Sequence, residues 1–336
     1  MSIDYALPFG QFPRVRPRRL RRTAFLRDLV QEHKLSTSDL ILPLFVQEGT
    51  STKTPILSMH NTFRYTIDEL VKHCQHIVDA QIPAIALFPY IDPAMKTNLA
   101  EEAYNSNGLV PRAVASVKQA YPELGVITDV ALDPYTIHGQ DGIMNDQHEI
   151  LNDITIEALA KQALSHAQAG ADIVAPSDMM DGRIGFVRER LEKNGFTHVA
   201  ILAYSAKYAS TFYGPFRDAV GSAGQLAGAD KKTYQLNPAN GAEALLEATL
   251  DCQEGADILM VKPGMPYLDI LWRVTQNSSI PVFVYQVSGE YAMLQNAISQ
   301  NLLPESAILE TMIAFKRAGA NAILTYSALD VARLMS

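Results

Sequence analysis

Two lysines are placed where an enzyme could use them. Lys207 follows the apolar run at 198–205, and Lys262 follows the run at 257–261. Each run is too short for a helix of its own and predicts a buried parallel strand, so both lysines are expected at carboxyl ends of strands, where β/α barrels build active sites. A desolvated lysine beside a second ammonium group has a lowered pKa, and its neutral amine can attack a ketone to form an imine. The pair predicts imine chemistry, although a strand-end lysine paired with a carboxylate is the simpler alternative for either residue.

Carboxylates accompany another predicted strand, Gly125–Asp133, and the loop that follows it. Alternation places Asp129 and Asp133 on one face of this strand, and Asp141 follows in the loop. A barrel interior tolerates carboxylates near its mouth or beside a cation, so Asp133 is a candidate acid–base group or a partner of the lysines. Asp129 is expected to belong to a structural ion pair.

A long connection, residues 208–232, follows Lys207. It combines aromatic side chains, glycines and cations, which together predict a lid that closes over an anionic substrate. A disordered surface excursion is the alternative. The side chains that carry this prediction are Tyr208, Phe212, Tyr213, Phe216, Arg217, Lys231 and Lys232.

Short apolar runs alternate with helical segments from residue 40 onwards, which predicts a parallel α/β architecture. A ninth candidate strand, Thr233–Leu236, is short and polar, and we assign it to the loop after Lys207. The remaining eight predict a (β/α)8 TIM barrel. They are Leu40–Val46, Ala84–Pro89, Gly125–Asp133, Asp172–Ser177, Val199–Ser205, Asp257–Lys262, Pro281–Ser288 and Asn321–Ser327.

The N-terminus is basic whereas the rest of the chain is acidic, because residues 14–27 carry seven arginines. Apolar residues interleave with them, which predicts an arm that docks on an acidic neighbour and so promotes oligomerisation. Nucleic-acid binding or targeting is the alternative for such a run. The expected organisation is an extended N-terminal oligomerisation arm, residues 1–27, and a single catalytic barrel domain, residues 28–336.

Composition narrows the class of protein. The chain has 336 residues, 48% of them hydrophobic, and a formal charge of −8, so it can bury a large core and has no overall electrostatic footprint for nucleic acid or an acidic membrane. Two cysteines cannot form a disulfide framework, which indicates a reducing compartment. No apolar run is long enough for a membrane span, and no signal-peptide core is present. We expect a cytoplasmic protein with no nucleic-acid or membrane partner.

Several long motifs resemble one family, that of porphobilinogen synthase, also called 5-aminolevulinate dehydratase. They are SAKYAS with YGPFRDA, VKPGMPYLD, VYQVSGEYAM, APSDMMDGR and DVALDPYTxHGxDG, and the similarity runs from about residue 16 to the end. The resemblance implies a TIM barrel with an N-terminal arm, assembled as a homo-octamer of dimers. It also implies condensation of two 5-aminolevulinate molecules to porphobilinogen, with loss of two waters, in tetrapyrrole and haem biosynthesis.

The resemblance further implies a role for each matching residue. Lys207 and Lys262 match the family's two Schiff-base lysines, and carboxylates such as Asp133 and Asp141 can move protons. The residues that match carboxylate anchors are Arg217 and Lys231, with Gln235 nearby, for one substrate, and Ser288 and Tyr326 for the other.

The metal requirement is expected to differ from that of animal and yeast relatives, which bind a catalytic zinc through three cysteines. Here those positions are Ala131, Asp133 and Asp141, so no zinc is expected. The chain resembles the magnesium-responsive bacterial branch, in which an allosteric Mg²⁺ binds a glutamate that matches Glu247. Judged by its neighbours alone, Glu247 is an exposed helical acid. No organic cofactor is expected, and a catalytic metal at the two aspartates stays open.

Two other classes of protein fit parts of this pattern. A class I aldolase shares the barrel and one imine-forming lysine, but it also needs a phosphate site, and no Gly-rich cradle follows the last two predicted strands. A non-catalytic barrel would not need two strand-end lysines and a cationic lid. Reduction of the protein with borohydride in the presence of substrate distinguishes these classes.

Overall fold

The computed structural model of the chain describes residues 10–221 and 230–336. These residues form two compact units, divided between Lys34 and Leu35. In the larger unit ten strands form one sheet in the order β10-β9-β8-β7-β6-β5-β4-β1-β3-β2, and β10 also pairs with β1. The strands are β1 Leu40–Gln47, β2 Lys53–Pro55, β3 Phe63–Tyr65, β4 Ala84–Tyr90, β5 Gly125–Val130, β6 Ile173–Pro176, β7 Ala200–Lys207, β8 Ile258–Lys262, β9 Val282–Gln286 and β10 Ile323–Thr325.

Eight of these strands, β1 and β4 to β10, pair in parallel and close a barrel. The closing contact joins Leu40 with Ile323 and Ile41 with Leu324. Strand β1 is apolar almost throughout and buried along nearly its whole length, as expected of a parallel strand covered on both faces. The predicted (β/α)8 TIM barrel is therefore confirmed.

Helices surround the barrel and follow its strands. Their apolar faces pack against the outward side chains of the strands, such as Val126 and Val130 of β5, while Ile127 points into the barrel. The helices within the described residues are α1 Ala24–Leu29, α2 Ile67–Asp79, α3 Leu109–Ala120, α4 Asn152–Gln168, α5 Arg183–Lys193, α6 Gly214–Ala219, α7 Glu243–Glu254, α8 Leu268–Asn277, α9 Ser288–Ser299, α10 Ala307–Arg317 and α11 Ala328–Met335.

The strand bounds correct one local prediction, confirm a second and reveal a hairpin that was not predicted. Strand β5 ends at Val130 because the chain turns at Leu132, whose carbonyl accepts hydrogen bonds from Tyr135 and Thr136, so Asp133 lies in a loop and not on a strand. The segment 233–236 is not a strand, as predicted; only Leu236 forms an isolated bridge, with Tyr208. The β2–β3 hairpin was not predicted, since each of its strands has three residues and no clear alternation.

The N-terminal unit contains a 3-10 turn, Pro17–Arg21, and α1. Its apolar side chains Leu20, Phe25 and Leu29 are at least half exposed, which leaves apolar surface that a partner could cover. Residues 1–9 of the predicted arm lie outside the described residues. No helix in the described part of the chain is long and apolar enough to cross a membrane.

A buried histidine links this core to acid stability. His166 on α4 is fully buried, and neither of its ring nitrogens has a hydrogen-bond partner among the described residues. Burial lowers its pKa to about 3. The unfolded chain binds a proton at this histidine near pH 6.5, whereas the folded chain does not. The contribution of the neutral histidine to the free energy of unfolding is therefore present above pH 6.5 and is lost as pH falls towards 3, by about 1.4 kcal/mol per pH unit.

We expect His166→Leu to remove that component of the pH dependence. Urea unfolding between pH 7.5 and 4.5 measures it: the free energy of unfolding should fall less steeply below pH 6.5 in the variant than in the wild type, by about 1.4 kcal/mol per pH unit. Equal slopes in the two proteins would contradict the assignment, whatever the difference in absolute stability.

Candidate active site

The two lysines lie directly opposite each other on neighbouring strands. The parallel register of β7 and β8 pairs Lys207 with Lys262 at the carboxyl ends of both strands, and each side chain is only 5% exposed. Both line one cavity at the mouth of the barrel. The other residues of this cavity are Asp129, Asp133, Asp141, Ser177, Tyr213, Phe216, Arg217, Lys231 and Gln235.

Aromatic rings surround the amine of Lys262. Burial in this apolar environment lowers the pKa of Lys262 to about 7, and the positive charge of Lys207 acts in the same direction, whereas the charge of Asp129 opposes it. A substantial fraction of this amine is therefore neutral near neutral pH and can act as a nucleophile. The distances from its Nζ to the ring centroids are 4.5 Å for Tyr285, 5.1 Å for Tyr204, 5.1 Å for Phe216 and 5.4 Å for Tyr213.

Lys207 has different neighbours. Its Nζ donates a hydrogen bond to the carbonyl of Ser177, in the loop after β6, and lies 3.4 Å from Oδ1 of Asp141. No carboxylate lies within 4.0 Å of Lys262 among the described residues. The two amines therefore face different electrostatic surroundings although their backbones are paired.

Lys231 forms ion pairs with the two aspartates of the loop after β5. Its Nζ lies 2.8 Å from Oδ2 of Asp141 and 3.2 Å from Oδ2 of Asp133. Burial opposes the charged form of Lys231, but the two carboxylates outweigh it and raise its pKa. Burial likewise opposes ionisation of Asp141, yet Lys207 and Lys231 together lower the pKa of Asp141 to about 2. Asp141 therefore stays ionised over the physiological range.

Asp129 is a site residue that the sequence did not identify. The expected structural ion pair is absent, because no cation lies within 4.0 Å of Asp129 among the described residues; instead Asp129 lines the cavity with the lysines. Burial raises its pKa to about 7, against the opposing charge of Lys262. Its inward position on β5 was the available signal, but the sequence pattern could not show which side chains of other strands face it.

The described part of the predicted lid contributes side chains to the lining of the cavity. A 3-10 turn, Thr211–Tyr213, leads into α6, which carries Phe216 and Arg217 into the cavity lining. At the end of α6 the guanidinium of Arg64 donates hydrogen bonds to the carbonyls of Ala219, at 2.6 Å, and Asp218, at 2.7 Å, as cations do at helix C-termini. Residues 222–229 of the predicted lid lie outside the described residues.

The remaining predicted substrate residues fall into two groups. Gln235 lines the cavity, is 5% exposed, and has no hydrogen-bond partner for its amide among the described residues. Ser288 and Tyr326 lie beside the cavity rather than in its lining: Ser288 Oγ accepts a hydrogen bond from the Phe216 amide at 2.9 Å, and the Tyr326 hydroxyl lies 2.8 Å from that of Tyr285. Gln235 thus has free polar atoms for a ligand, while Ser288 and Tyr326 are already bonded to site residues.

Glu247 lines a second cavity of about 670 Å³, which shares Gln235 with the catalytic cavity. The side chain is half-buried, so the expectation of a simply exposed acid is wrong; α7 turns this face toward the loop after β6. The acids that line this cavity are Glu149, Asp181, Glu243 and Glu247. No group of three His, Cys, Asp or Glu side chains within 10–221 and 230–336 is arranged to hold a metal ion. The carboxylate oxygens of the four acids that line the cavity are of the kind that a hydrated Mg²⁺ binds, because this ion needs only one or two carboxylates and keeps several waters.

The fold and the site together define a (β/α)8-barrel enzyme that presents two buried lysine amines at its catalytic mouth. Residues 14–334 match the sequence profile of the family described as delta-aminolevulinic acid dehydratase. The chain is 51% identical to the delta-aminolevulinic acid dehydratase of Bradyrhizobium diazoefficiens, covering 94% of this chain and 89% of that one, and 50% identical to the enzyme of Rhodobacter capsulatus, covering 96% and 97%.

A solved structure agrees with the sequence relatives. The chain superposes with a TM-score of 0.94 and 47% identity on delta-aminolevulinic acid dehydratase (porphobilinogen synthase) of Toxoplasma gondii in complex with the reaction product porphobilinogen, covering 98% of this chain and 92% of that one. The chain therefore belongs to the delta-aminolevulinic acid dehydratase family. It is a lyase of porphyrin and haem biosynthesis.

The opposite charges near Lys262 predict opposite shifts of its reactivity. Because Lys207 lowers the pKa of Lys262 and Asp129 raises it, Lys207→Met should move the pKa of Lys262 upward and Asp129→Asn should move it downward. The rate of imine trapping on Lys262 by a keto acid such as levulinate and cyanoborohydride, followed by peptide mapping, measures this shift, since trapping requires the neutral amine.

In the wild type the acid limb of that trapping profile should lie near pH 7. The limb should move to higher pH in Lys207→Met and to lower pH in Asp129→Asn. Lys193→Met, a change at an exposed lysine on α5, is the control and should leave the limb in place. No shift in either cavity variant would show that burial alone sets this pKa, and shifts of the same sign would contradict the assigned roles of the two charges.

Proposed function

We propose that this enzyme condenses two molecules of 5-aminolevulinate to porphobilinogen, with loss of two waters, through imines on Lys207 and Lys262. The observation that carries the proposal is the pairing of two buried lysines in register on β7 and β8, one of them with a pKa of about 7. A single-imine aldolase needs one such amine. The relative from Toxoplasma gondii, in complex with porphobilinogen, supports the same product.

Each imine would form by attack of the lysine amine on the substrate ketone, with departure of water. The resulting C=N group accepts electron density, so the neighbouring carbon loses a proton more readily and one substrate can act as the carbon nucleophile towards the other. We assign proton transfer first to Asp129, because a pKa of about 7 lets it accept and return protons near neutral pH. Asp133 and Asp141 would hold the ammonium groups of Lys231 and Lys207 and assist proton movement from there.

The substrate carboxylates would be anchored at two places. We propose Arg217, Lys231 and Gln235 for one carboxylate, since all three line the cavity and Gln235 has unused polar atoms. Lys231 would then exchange part of its contact with Asp133 for the substrate. For the second carboxylate we propose Ser288 and Tyr326, whose hydroxyl groups lie beside the cavity on neighbouring elements.

The test of the proposed function is reduction of the enzyme by borohydride in the presence of 5-aminolevulinate. We expect secondary-amine adducts on both Lys207 and Lys262 in peptide maps. Lys262→Ala should lower product formation by a factor on the order of 10³ or more and lose the Lys262 adduct while remaining folded. Activity close to that of the wild type would contradict the assignment.

Lys316→Ala is a suitable control for that variant. Lys316 lies on α10 and forms an ion pair with Asp39 at 2.8 Å, away from the catalytic cavity. Its loss should leave both adducts and product formation unchanged within about twofold. If folded wild-type protein formed no adduct on either lysine, aldolase substrates would be tried in the same experiment.

We also propose that the enzyme uses an allosteric Mg²⁺ at Glu247, no zinc and no organic cofactor. The four carboxylates in the lining of the Glu247 cavity, those of Glu149, Asp181, Glu243 and Glu247, support magnesium. At the catalytic mouth, Ala131 supplies no ligand, and Asp133 and Asp141 are ion-paired with lysines, which makes them poor ligands for a further cation. Bound Mg²⁺ would supply positive charge to this acidic cavity.

Glu247→Ala should reduce Mg²⁺ stimulation, measured as the ratio of turnover with and without the ion, to about one. Isothermal titration with MgCl₂ should show weaker binding by the variant, which gives a readout that does not depend on activity. Glu310→Ala, at an exposed acid on α10, is the control and should retain both signals. Unchanged titration of the Glu247 variant would show that the ion binds elsewhere.

For assembly and location we propose a homo-octamer of dimers in the cytoplasm, joined through the arm 1–27, with no nucleic-acid or membrane partner. The exposed apolar residues Leu20 and Phe25 support an arm that needs a partner surface. The free thiols Cys74 and Cys252 support a reducing compartment.

A further inference from the structure

Glu290 is a buried acid that touches neither the cavity nor any described cation within 4.0 Å. It lies in the first turn of α9 and is 0% exposed. Its Oε2 accepts hydrogen bonds from the backbone amides of Val287, at 2.7 Å, and Gly264, at 3.1 Å, and its Oε1 accepts one from the amide of Met265. One carboxylate therefore joins the loop after β8 to the loop after β9.

These two loops adjoin the reactive part of the site. Gly264 is two residues beyond Lys262, and Val287 immediately precedes Ser288. On its other side the carbonyl of Lys262 accepts hydrogen bonds from the Tyr208 amide, at 3.0 Å, and the Tyr213 hydroxyl, at 3.3 Å. The backbone that carries the Lys262 amine is thus fixed from both directions.

The surrounding packing leaves these loops little room to move. A Cβ on Gly264 would lie 2.6 Å from the ring of Phe315, and a Cβ on Gly289 would lie 2.4 Å from the carbonyl oxygen of Phe212. Because interiors at such contact distances cannot absorb a shift locally, displacement of either loop is transmitted to Lys262 or to the lid residues that follow Phe212. Burial also raises the pKa of Glu290 to about 7 against the three amide donors, so the group is kept there at a cost in free energy.

We propose that Glu290 is a positioning residue for imine formation on Lys262: its carboxylate holds the loop after β8 so that the Lys262 amine meets the substrate ketone. The inference rests on the proposed function, because it assumes that Lys262 forms an imine. The Lys207 amine is held by Ser177 and Asp141, whereas the hydrogen bonds of Glu290 go to the loop after Lys262 and to the residue before Ser288. The effect of Glu290 is therefore specific to one of the two lysines.

The test compares trapping at the two lysines in Glu290→Gln. This change keeps the shape of the side chain but replaces one acceptor oxygen by an NH₂ group that faces a backbone amide. Borohydride trapping with 5-aminolevulinate and peptide mapping should show the rate at Lys262 reduced by about tenfold or more and the rate at Lys207 unchanged within about twofold. Glu290→Asp keeps the charge but is one methylene shorter, and it should show the same selective loss. It serves as the test if the glutamine variant does not fold.

Asp257→Asn is the matched control. The Asp257 carboxylate also accepts a hydrogen bond from a backbone amide, that of Ile201 at 2.7 Å, and it pairs with Arg188 at the opposite end of the barrel. This variant should trap both lysines at wild-type rates. Equal loss at both lysines in the Glu290 variants, or no loss at either, would overturn the inference. Absence of adducts in the wild type would instead remove the proposed function on which it rests.

Discussion

The organisation of this site depends on placing two ammonium-bearing side chains side by side in a poorly solvated barrel mouth. Register between β7 and β8 makes Lys207 and Lys262 neighbours, and two like charges in such surroundings cannot both be favourable without compensation. The structure compensates only one of them. Asp141 lies 3.4 Å from Lys207, whereas aromatic rings surround Lys262, so the two amines have different electrostatic surroundings, and the pKa of Lys262 is lowered to about 7.

The carboxylates complete this asymmetry. Three acids line the same cavity, but their surroundings differ: Asp133 and Asp141 are ion-paired with Lys231, and Asp129 is buried without an ion pair among the described residues. The pKa of Asp141 is consequently about 2 and that of Asp129 about 7. Two aspartates of the same chemical type thereby differ in behaviour: Asp141 is a permanent negative charge, and Asp129 is able to exchange protons.

Backbone contacts keep these side chains in place. The strands place both lysines at the barrel mouth, and the loops and the lid fix the positions of the lysine side chains. These loops and the lid are in turn held by side chains that are far from them in sequence. Arg64 binds the end of α6, and Glu290 joins the loops after β8 and β9. A rigid barrel thus supports loops that carry the chemistry, and Gln235 on one of these loops lines both the catalytic cavity and the acidic cavity of Glu247.

The barrel and the two lysines were predictable from sequence because buried parallel strands are short apolar runs, and a lysine at the end of such a run is a local signal. The magnesium site and the substrate anchors were inferred from resemblance and stay proposals. The β2–β3 hairpin, Asp129 and Glu290 could not be predicted as site or supporting elements, because their meaning lies in contacts across the fold. Lys231 and Asp133, for example, are 98 residues apart. Local pattern therefore determined the architecture and the placement of the two lysines, and tertiary structure decided the charge states, since burial and distance between remote groups set each pKa.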